Sequence, residues 1–145
     1  MSPNTHLNTY LTFDGNCREA FEFYKSVFGG DFSAFQTFGD APPDMPIADA
    51  DKDRVMHVSL PVGGSTLMGS DTAGGFGGPV VVGNNFSISI APESKQQCDD
   101  LFAKLSDGGE VRMPLQDTFW GAYFGMCKDR FDINWMINHD TSSGG

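Results

Sequence analysis

His57 is the side chain in this sequence that is best suited to acid–base chemistry. An imidazole gains and loses a proton near neutral pH, so it can act as a general acid or base, or orient a ligand through a hydrogen bond. The structural alternative is a histidine hydrogen-bonded to a side chain of a neighbouring strand, such as Tyr123. No serine, threonine or cysteine stands in a motif with a base, so the sequence does not indicate nucleophilic catalysis.

The elements that must position this histidine come as two similar halves. Residues 8–30 and 85–109 each combine an alternating, strand-like stretch with an amphipathic helix that ends at a Gly-Gly pair. Further strand-like stretches follow each helix. The repeat predicts two βαβββ modules, at 5–71 and 84–140, joined by a glycine-rich linker at 72–83. We therefore expect a single α+β domain built from tandem modules.

Both helices carry sequence signals at their first turn. Asn16 stands three residues before Glu19, and Ser94 stands three residues before Gln97, which is the spacing of a capping box. We expect reciprocal hydrogen bonds at both helix starts. Asp71 ends a predicted strand, and we interpret it as the cap of a turn in preference to a ligand contact.

Alternation along the predicted strands separates two faces. The residues expected to pack under the helices are Leu11, Phe13, Met56, Val58, Leu60, Phe86, Ile88, Ile90, Phe124, Ile133 and Trp135. The residues expected on the opposite face are Asn8, Tyr10, Thr12, His57, Ser59, Met68, Ser70, Asn85, Ser87, Ser89, Tyr123, Gly125, Asn134 and Met136. This second set is rich in hydroxyl and amide groups, and burying such a group without a partner costs about 1–3 kcal/mol. The pattern therefore favours a wet cavity that takes a polar small molecule.

Composition argues against several classes of partner. The formal net charge of −10 would repel nucleic acid and anionic membrane surfaces. No apolar stretch approaches the roughly 20 residues of a membrane span, and the N-terminus lacks the features of a signal peptide. Cys17, Cys98 and Cys127 have no CxxC spacing. We interpret them as buried free thiols and expect a cytoplasmic location.

Three stretches carry a resemblance to a known family: residues 10–30 (YLTFDGNCREAFEFYKSVFGG), 56–71 (MHVSLPVGGSTLMGSD) and 113–137 (MPLQDTFWGAYFGMCKDRFDINWMI). They resemble the vicinal-oxygen-chelate superfamily of glyoxalases, extradiol dioxygenases, fosfomycin-resistance enzymes and bleomycin-binding proteins, and within it the PhnB-like group. The resemblance implies a glyoxalase-like fold, in which curved mixed sheets surround a cup-shaped pocket and the helices lie outside. It also implies a homodimer, since half-cups of this superfamily are often completed across a two-fold axis.

The resemblance also identifies the positions at which metal-using relatives place their ligands. These positions correspond to Asn8, Met68, Asn85 and Asn134. A catalytic divalent ion requires imidazole or carboxylate ligands, and three neutral amides with a thioether do not replace them. We therefore expect no catalytic metal and no other cofactor.

The stretch 116–121 (QDTFWG) is the most distinctive local signature. Trp120 and Phe119 can wall a pocket with flat apolar surface, while Gln116 offers a donor and an acceptor. The alternative is a corner of the fold in which Trp120 fills the core and Gly121 permits the bend.

These observations lead to three hypotheses. In the first, the protein binds a polar small molecule without a metal, with His57 as the catalytic or orienting group. The expected ligand contacts are Asn8, Tyr10, Ser59, Met68, Asn85, Trp120, Tyr123 and Asn134. The second hypothesis is a metal-dependent lyase, isomerase or dioxygenase of the same superfamily that uses His57. The third is an interaction subunit that has no ligand.

Overall fold

A computed structural model describes residues 5–44, 46–73 and 78–141. The chain divides into two compact units, Met1–Val81 and Val82–Gly145. Within the described residues, each unit has one α-helix and one four-stranded mixed sheet, which confirms the predicted α+β class. Residues 74–77 of the predicted linker lie outside the described residues. No helix of the described ranges is long and apolar enough to span a membrane.

The first unit follows the predicted βαβββ order. Its elements are β1 (Thr9–Phe13), α1 (Cys17–Phe28), β2 (Ala34–Thr37), β3 (Val55–Val62) and β4 (Ser65–Asp71). The sheet order is β1-β4-β3-β2, with β1 parallel to β4 and the other pairs antiparallel. Two short 3-10 turns, at Phe38–Asp40 and Asp49–Asp51, lie between β2 and β3.

The second unit has the same topology. Its elements are β5 (Ile88–Ile90), α2 (Lys95–Ser106), β6 (Glu110–Asp117), β7 (Ala122–Lys128) and β8 (Asn134–Asp140). The sheet order is β5-β8-β7-β6, and β5 is again the strand that pairs in parallel.

Strands of the second unit differ in part from the predicted alternation. β5 covers only Ile88–Ile90, so Asn85 and Phe86 lie ahead of the strand, and β8 (Asn134–Asp140) begins after Ile133. β6 (Glu110–Asp117) runs through Pro114, with two register shifts against β7. Because β6 is an edge strand, a proline there removes no central hydrogen bond, so Pro114 does not end the strand.

Helix α1 packs its apolar stripe on one face of the first sheet. Phe21 meets Phe13 and Tyr24 edge to face, with ring centroids 6.3 and 5.5 Å apart. A Cβ atom added to Gly69 on β4 would lie 2.5 Å from the Phe21 ring. Only glycine at this position lets the helix approach the sheet so closely. The same face of the sheet carries Leu11, Val58 and Leu60, each at most 4% exposed.

The start of α1 is capped by a distant carboxylate and not by the predicted capping box. Asn16 makes no side-chain cap hydrogen bond. Asp71, 4% exposed at the end of β4, accepts hydrogen bonds from the backbone N–H groups of Gly15 (2.8 Å), Cys17 (3.0 Å) and Val55 (2.9 Å). A carboxylate is the stronger acceptor, and tertiary folding brings it to the helix end. The interpretation of Asp71 as a turn cap is confirmed.

The start of α2 follows its local signal more closely. Ser94 Oγ accepts a hydrogen bond from the Gln97 N–H at 3.1 Å, as predicted. Gln97 Oε1 accepts from the Glu93 N–H at 2.7 Å, one residue earlier than a capping box requires. The second unit has its own buried carboxylate in Asp129, which is 2% exposed and accepts from the Trp135 indole N–H at 2.8 Å. Asp129 therefore organises the turn before β8.

Candidate functional site

The strand face of the first sheet that lies opposite α1 collects most of the predicted site residues of the first unit. Tyr10 on β1 pairs in register with Met68 on β4, and Met68 pairs with Ser59 on β3. His57 lies two residues before Ser59 on the same strand and pairs with Gln36 on β2. Side chains alternate along a strand, so all five lie on one face. This confirms the face predicted for Tyr10, His57, Ser59 and Met68.

His57 is held by two hydroxyl groups. Its Nε2 atom lies 2.9 Å from Ser59 Oγ, and its Nδ1 atom lies 3.4 Å from Tyr10 Oη. The Tyr10 and His57 rings also stack, with centroids 5.9 Å apart and an interplanar angle of 28°. In one neutral tautomer, Nε2–H donates to Ser59 while Nδ1 accepts from Tyr10; in the other, both directions reverse. The two hydrogen bonds of this row, which consists of Tyr10, His57 and Ser59, can therefore point in either direction.

The three residues of this row differ in their exposure to solvent. Ser59 is 7% exposed, whereas Tyr10 is 48% exposed and His57 is half-buried. The short hydrogen bond to the buried Ser59 holds the imidazole at its Nε2 side. The contact to Tyr10 is near the upper limit for a hydrogen bond, so a ligand group can replace it at small cost. Tyr10 and His57 are the members of the row that can reach a ligand.

Tyr123 lies on the other face of its sheet from the one predicted. Its hydroxyl donates a 2.7 Å hydrogen bond to Asp99 on α2, and Lys95 lies over its ring at 5.1 Å. The bond to Asp99 is the main reason that the pKa of Tyr123 is raised to about 12. The predicted inward orientation is therefore wrong. The structural alternative of a histidine hydrogen-bonded to a side chain of another strand is borne out within the first unit, where Tyr10 and Ser59 are the residues that contact the imidazole.

The error extends along β7, because Tyr123, Gly125 and Cys127 alternate onto the α2 side while Phe124 faces the other way. Cys127 pairs with Trp135, which is 1% exposed in the core. The sequence AYFGMCK has no polar–apolar alternation, so its periodicity does not fix which face is buried. The predicted faces of Trp135 and Asn134 on β8 are confirmed, since these neighbours point to opposite sides.

The four positions that correspond to metal ligands in the resemblance are placed as follows. Asn8 precedes β1, is exposed, and accepts a hydrogen bond from the Thr66 N–H at 3.2 Å. Met68 is half-buried on β4. Asn85 is exposed at a bend ahead of β5, outside the strand in which it was predicted, and Asn134 is 7% exposed at the start of β8.

These residues do not fit a catalytic divalent metal. Amide and thioether groups carry no charge and are weak donors towards zinc or iron. Asn8 already uses its carbonyl oxygen on the backbone. Within residues 5–44, 46–73 and 78–141, no group of three or more His, Cys, Asp or Glu side chains could hold a metal ion.

Trp120 lies in an exposed turn between β6 and β7. Thr118 closes the turn, because its N–H donates to the Ala122 carbonyl at 2.8 Å and its Oγ1 accepts from the Ala122 N–H at 3.1 Å. Gly121 has φ +87°, so the predicted role of this glycine in the bend is confirmed. Trp120 is 57% exposed, so the alternative of a core-filling tryptophan is wrong.

Sequence reasoning missed Gln36 and the apolar residues that share the strand face of the second sheet. Gln36 could have been found, because it alternates with Phe35 in a stretch already predicted as a strand. Met113 and Met126 carried no signal, since methionine occurs on both sides of a sheet. They came together only through pairing of β6 with β7.

Comparison with known proteins identifies the fold and a close relative. The family model described as 3-demethylubiquinone-9 3-methyltransferase matches residues 5–138. The crystal structure of protein PA1353 from Pseudomonas aeruginosa is 44% identical, with a TM-score of 0.83, over 94% of this chain and 98% of that one.

Two more distant structures share the architecture. A PhnB protein from Bacillus cereus, assigned by name to 3-demethylubiquinone-9 3-methyltransferase, is 22% identical, with a TM-score of 0.74, over 93% of this chain and 99% of that one. A glyoxylase/bleomycin resistance protein/dioxygenase domain from Frankia sp. EAN1pec is 16% identical, with a TM-score of 0.64, over 97% and 95%. At these identities the likeness shows the fold alone, and it confirms the predicted glyoxalase-like fold.

Proposed function

Because the chain belongs to the 3-demethylubiquinone-9 3-methyltransferase family, the PhnB-like group of the glyoxalase and bleomycin-resistance superfamily, we propose that it binds a polar small molecule without a catalytic metal. The observation that carries the proposal is the row formed by Tyr10, His57 and Ser59 on one strand face. Tyr10 and His57 contact the ligand, and Ser59 orients the imidazole.

The chemistry of the row favours a ligand with both donor and acceptor groups. A neutral imidazole and two hydroxyls can each donate or accept, so they match alcohols, amides or carbonyl compounds. The net charge of −10 disfavours anions in the surrounding field. The preferred ligand is therefore neutral or cationic.

The donor set argues against the metal-dependent alternative. A lyase, isomerase or dioxygenase of this superfamily would need imidazole or carboxylate ligands where this chain has Asn8, Met68, Asn85 and Asn134. Stoichiometric zinc, nickel or iron in the dialysed protein, measured by plasma mass spectrometry, would contradict the proposal.

A melting-temperature screen of neutral and cationic polar compounds tests the binding function. A ligand present at 100 times its Kd adds about 2.7 kcal/mol to the free energy of unfolding. We expect Tyr10→Phe and His57→Ala to remove the shift that a hit produces. His6→Ala is the matched control, because His6 is exposed outside the row. A hit that is unaffected by both row variants would place the ligand elsewhere.

We also propose that the protein is a cytoplasmic homodimer. The three buried free cysteines suit a reducing compartment. Light scattering of the purified protein checks the dimer, and a monomer at micromolar concentration would contradict it.

A further inference from the structure

We propose that two copies of the chain associate through a surface on the α1 side of the first unit, which receives the acidic connection before β3 of the second copy. The surface, named here the Arg18–Lys25 surface, consists of Arg18, Lys25, Phe32 and Phe35. The acidic connection is residues 46–53. This inference rests on the proposed homodimer, for which it names the interface.

Two cations lie over two aromatic rings on this surface. The Arg18 guanidinium carbon is 4.8 Å from the ring centroid of Phe35, and Lys25 Nζ is 5.2 Å from that of Phe32. The two ring centroids are 5.5 Å apart. Both rings are half-buried, so they offer apolar surface to a partner beside the cations. Arginine and aromatic residues are enriched at interfaces between proteins.

The surface lies at the edge of the first sheet, on its helix side. Phe35 is on the edge strand β2 and pairs in register with Val58. Directly paired residues share a face, and Val58 is fully buried on the α1 side. Phe35 therefore points away from the face that carries the Tyr10–His57–Ser59 row. A partner on this surface uses different side chains from those proposed to contact the ligand.

Arg18 has no carboxylate partner among the described residues, although the chain has 19 acidic residues. All nine basic residues lie in the described ranges, and seven of them form salt bridges there. The two that remain are Arg18 and Lys104. Arg18 donates instead to the backbone carbonyl of Asp53, at 3.4 Å. Its charge is therefore available to a carboxylate of a second molecule.

The acidic connection supplies the complementary charge. It contains Asp49, Asp51 and Asp53 against one cation, Lys52. Asp49 pairs with Lys52 at 2.8 Å, and Asp51 pairs with Arg54 at 3.5 Å. Asp53 is exposed and forms no salt bridge with the described residues. It is the carboxylate of the connection that a second copy can bind most readily.

The surface and the connection meet where Arg18 contacts the Asp53 carbonyl. A two-fold axis through this point lays the Arg18–Lys25 surface of each copy against the acidic connection of the other. Arg18 then faces the partner's Asp53, and the symmetric contact joins the partner's Arg18 to Asp53. The interface is closed because each copy contributes both features.

Within the described residues, the second unit has neither feature, although its topology is the same. The second and ninth residues of α1 are Arg18 and Lys25, whereas those of α2 are Gln96 and Ala103. β6 contains no aromatic residue. Four residues join β6 to β7, whereas 17 join β2 to β3. Since the βαβββ topology requires neither the surface nor the connection, their presence together in one unit favours a role in association.

Sedimentation velocity of the full chain measures the dissociation constant of the dimer. Across the axis, Arg18→Glu brings carboxylates together and Asp53→Arg brings cations together. We expect each variant to weaken dimerisation about a hundredfold, because like charges then meet at two symmetric contacts. Phe35→Ala should weaken it about tenfold. Lys104→Glu is the matched control, since it reverses the other unpaired cation on α2, and it should leave the dissociation constant unchanged.

Mixing the two charge variants distinguishes a contact between copies from one within a copy. In a dimer of Arg18→Glu with Asp53→Arg, both contacts across the axis again join opposite charges. The mixture should therefore dimerise with about the wild-type dissociation constant, although neither variant does so alone. Circular dichroism checks that the variants fold. If Arg18→Glu does not, Arg18→Gln, which copies the residue of α2, should weaken the dimer about tenfold and carries the test.

Unchanged dissociation constants in folded Arg18→Glu and Asp53→Arg would overturn this interface and leave the homodimer standing. A mixture that dimerises no more tightly than the separate variants would overturn it in the same way. A wild-type chain that is monomeric at micromolar concentration would overturn both this interface and the proposed homodimer.

Discussion

The first and second units share one topology but present different chemistry on the strand face opposite the helix. The first face carries Tyr10, His57 and Ser59, which are joined by hydrogen bonds. The second carries Phe124 and Trp120 together with Met113, Met126 and Met136, which pair in register on three neighbouring strands. Since the scaffold is the same, strand pairing fixes where a side chain points, and residue type alone sets what the face can bind.

The units also differ in how a buried carboxylate supports them. Asp71 joins groups far apart in sequence, namely the start of α1 and the first residue of β3. Asp129 joins groups within six residues of itself. The first unit therefore depends on a long-range contact where the second depends on a local turn. The following predictions use matched substitutions in the two units.

Replacing the two carboxylates should produce the largest effects. Asp71→Ala leaves two fully buried N–H groups, those of Cys17 and Val55, without an acceptor. Asp129→Ala removes one fully buried hydrogen bond, which comes from the indole N–H of Trp135. We expect Asp71→Ala to lower the free energy of unfolding by about 2–6 kcal/mol and Asp129→Ala to lower it by about 1–3 kcal/mol. Urea unfolding measures both, with Asp31→Ala, at an exposed salt bridge, as control. A larger loss of unfolding free energy for Asp129→Ala than for Asp71→Ala would contradict this difference between the two units.

Replacing Gly69 or Gly125 by alanine should lower the free energy of unfolding by less than the carboxylate substitutions do. The loss should again be larger in the first unit. A Cβ at Gly69 meets the buried Phe21 ring at 2.5 Å and the Leu11 carbonyl at 3.0 Å. A Cβ at Gly125 meets mainly the Leu115 side chain, at 2.9 Å, and that side chain can rotate. We expect a loss of about 1–3 kcal/mol for Gly69→Ala and a smaller one for Gly125→Ala.

The double variant Gly69→Ala/Phe21→Leu checks this explanation, since a smaller side chain at position 21 relieves the contact. Its unfolding free energy should be higher than the sum of the two single losses predicts. Simple additivity would show that the Phe21 ring is not the cause.

Thiol labelling should distinguish the units by rate. Burial, followed by the nearby Asp129, raises the pKa of Cys127 to about 11. Burial, with Asp71 beside it, raises the pKa of Cys17 further. A rise of about two units above the ordinary thiol value lowers the thiolate fraction of Cys127 at pH 8 about a hundredfold. We expect slow labelling of the native protein, with Cys127 ahead of Cys17 in peptide maps, and rapid labelling of both in urea. Earlier labelling of Cys17 would contradict this order.

The smallest effect concerns the bond between Tyr123 and Asp99. Because the folded pKa of Tyr123, about 12, exceeds the ordinary tyrosine value of 10.0, this bond stabilises the fold fully below about pH 10. The stabilisation is lost as the pH rises towards 12. Phenolate absorbance at 295 nm should show a late component that Tyr123→Phe removes and that Asp99→Asn moves to lower pH. Tyr10→Phe, in the first unit, should leave that component in place.

Several local features could be predicted from the sequence because their signals are local. The helix at 17–28 follows from its apolar stripe and its Gly-Gly stop, and the Ser94 cap follows from residues three apart. The faces of β1, β3 and β4 follow from clear alternation of polar and apolar residues. These signals also placed His57 on the same strand face as Tyr10, Ser59 and Met68.

Other features depended on partners distant in sequence. The cap of α1 comes from Asp71, 54 residues from Cys17, so the residues around Asn16 could not reveal it. The face of Tyr123 depended on Asp99 of α2, and the length of β6 depended on its place at the sheet edge. Both involve a choice between faces or edges that a short, weakly patterned segment does not make alone.

The sequence by itself therefore determined the repeat, the α+β class, the helices and the chemistry of the first strand face. It also determined that Asn8, Met68, Asn85 and Asn134 offer no charged or imidazole ligand. Only the tertiary structure decided which carboxylate caps α1, which way β7 faces, and that three methionines meet in one row. The physical reason is the distance along the sequence between the interacting residues. Periodicity and capping involve residues a few positions apart, whereas strand register and buried hydrogen bonds join residues that only folding brings together.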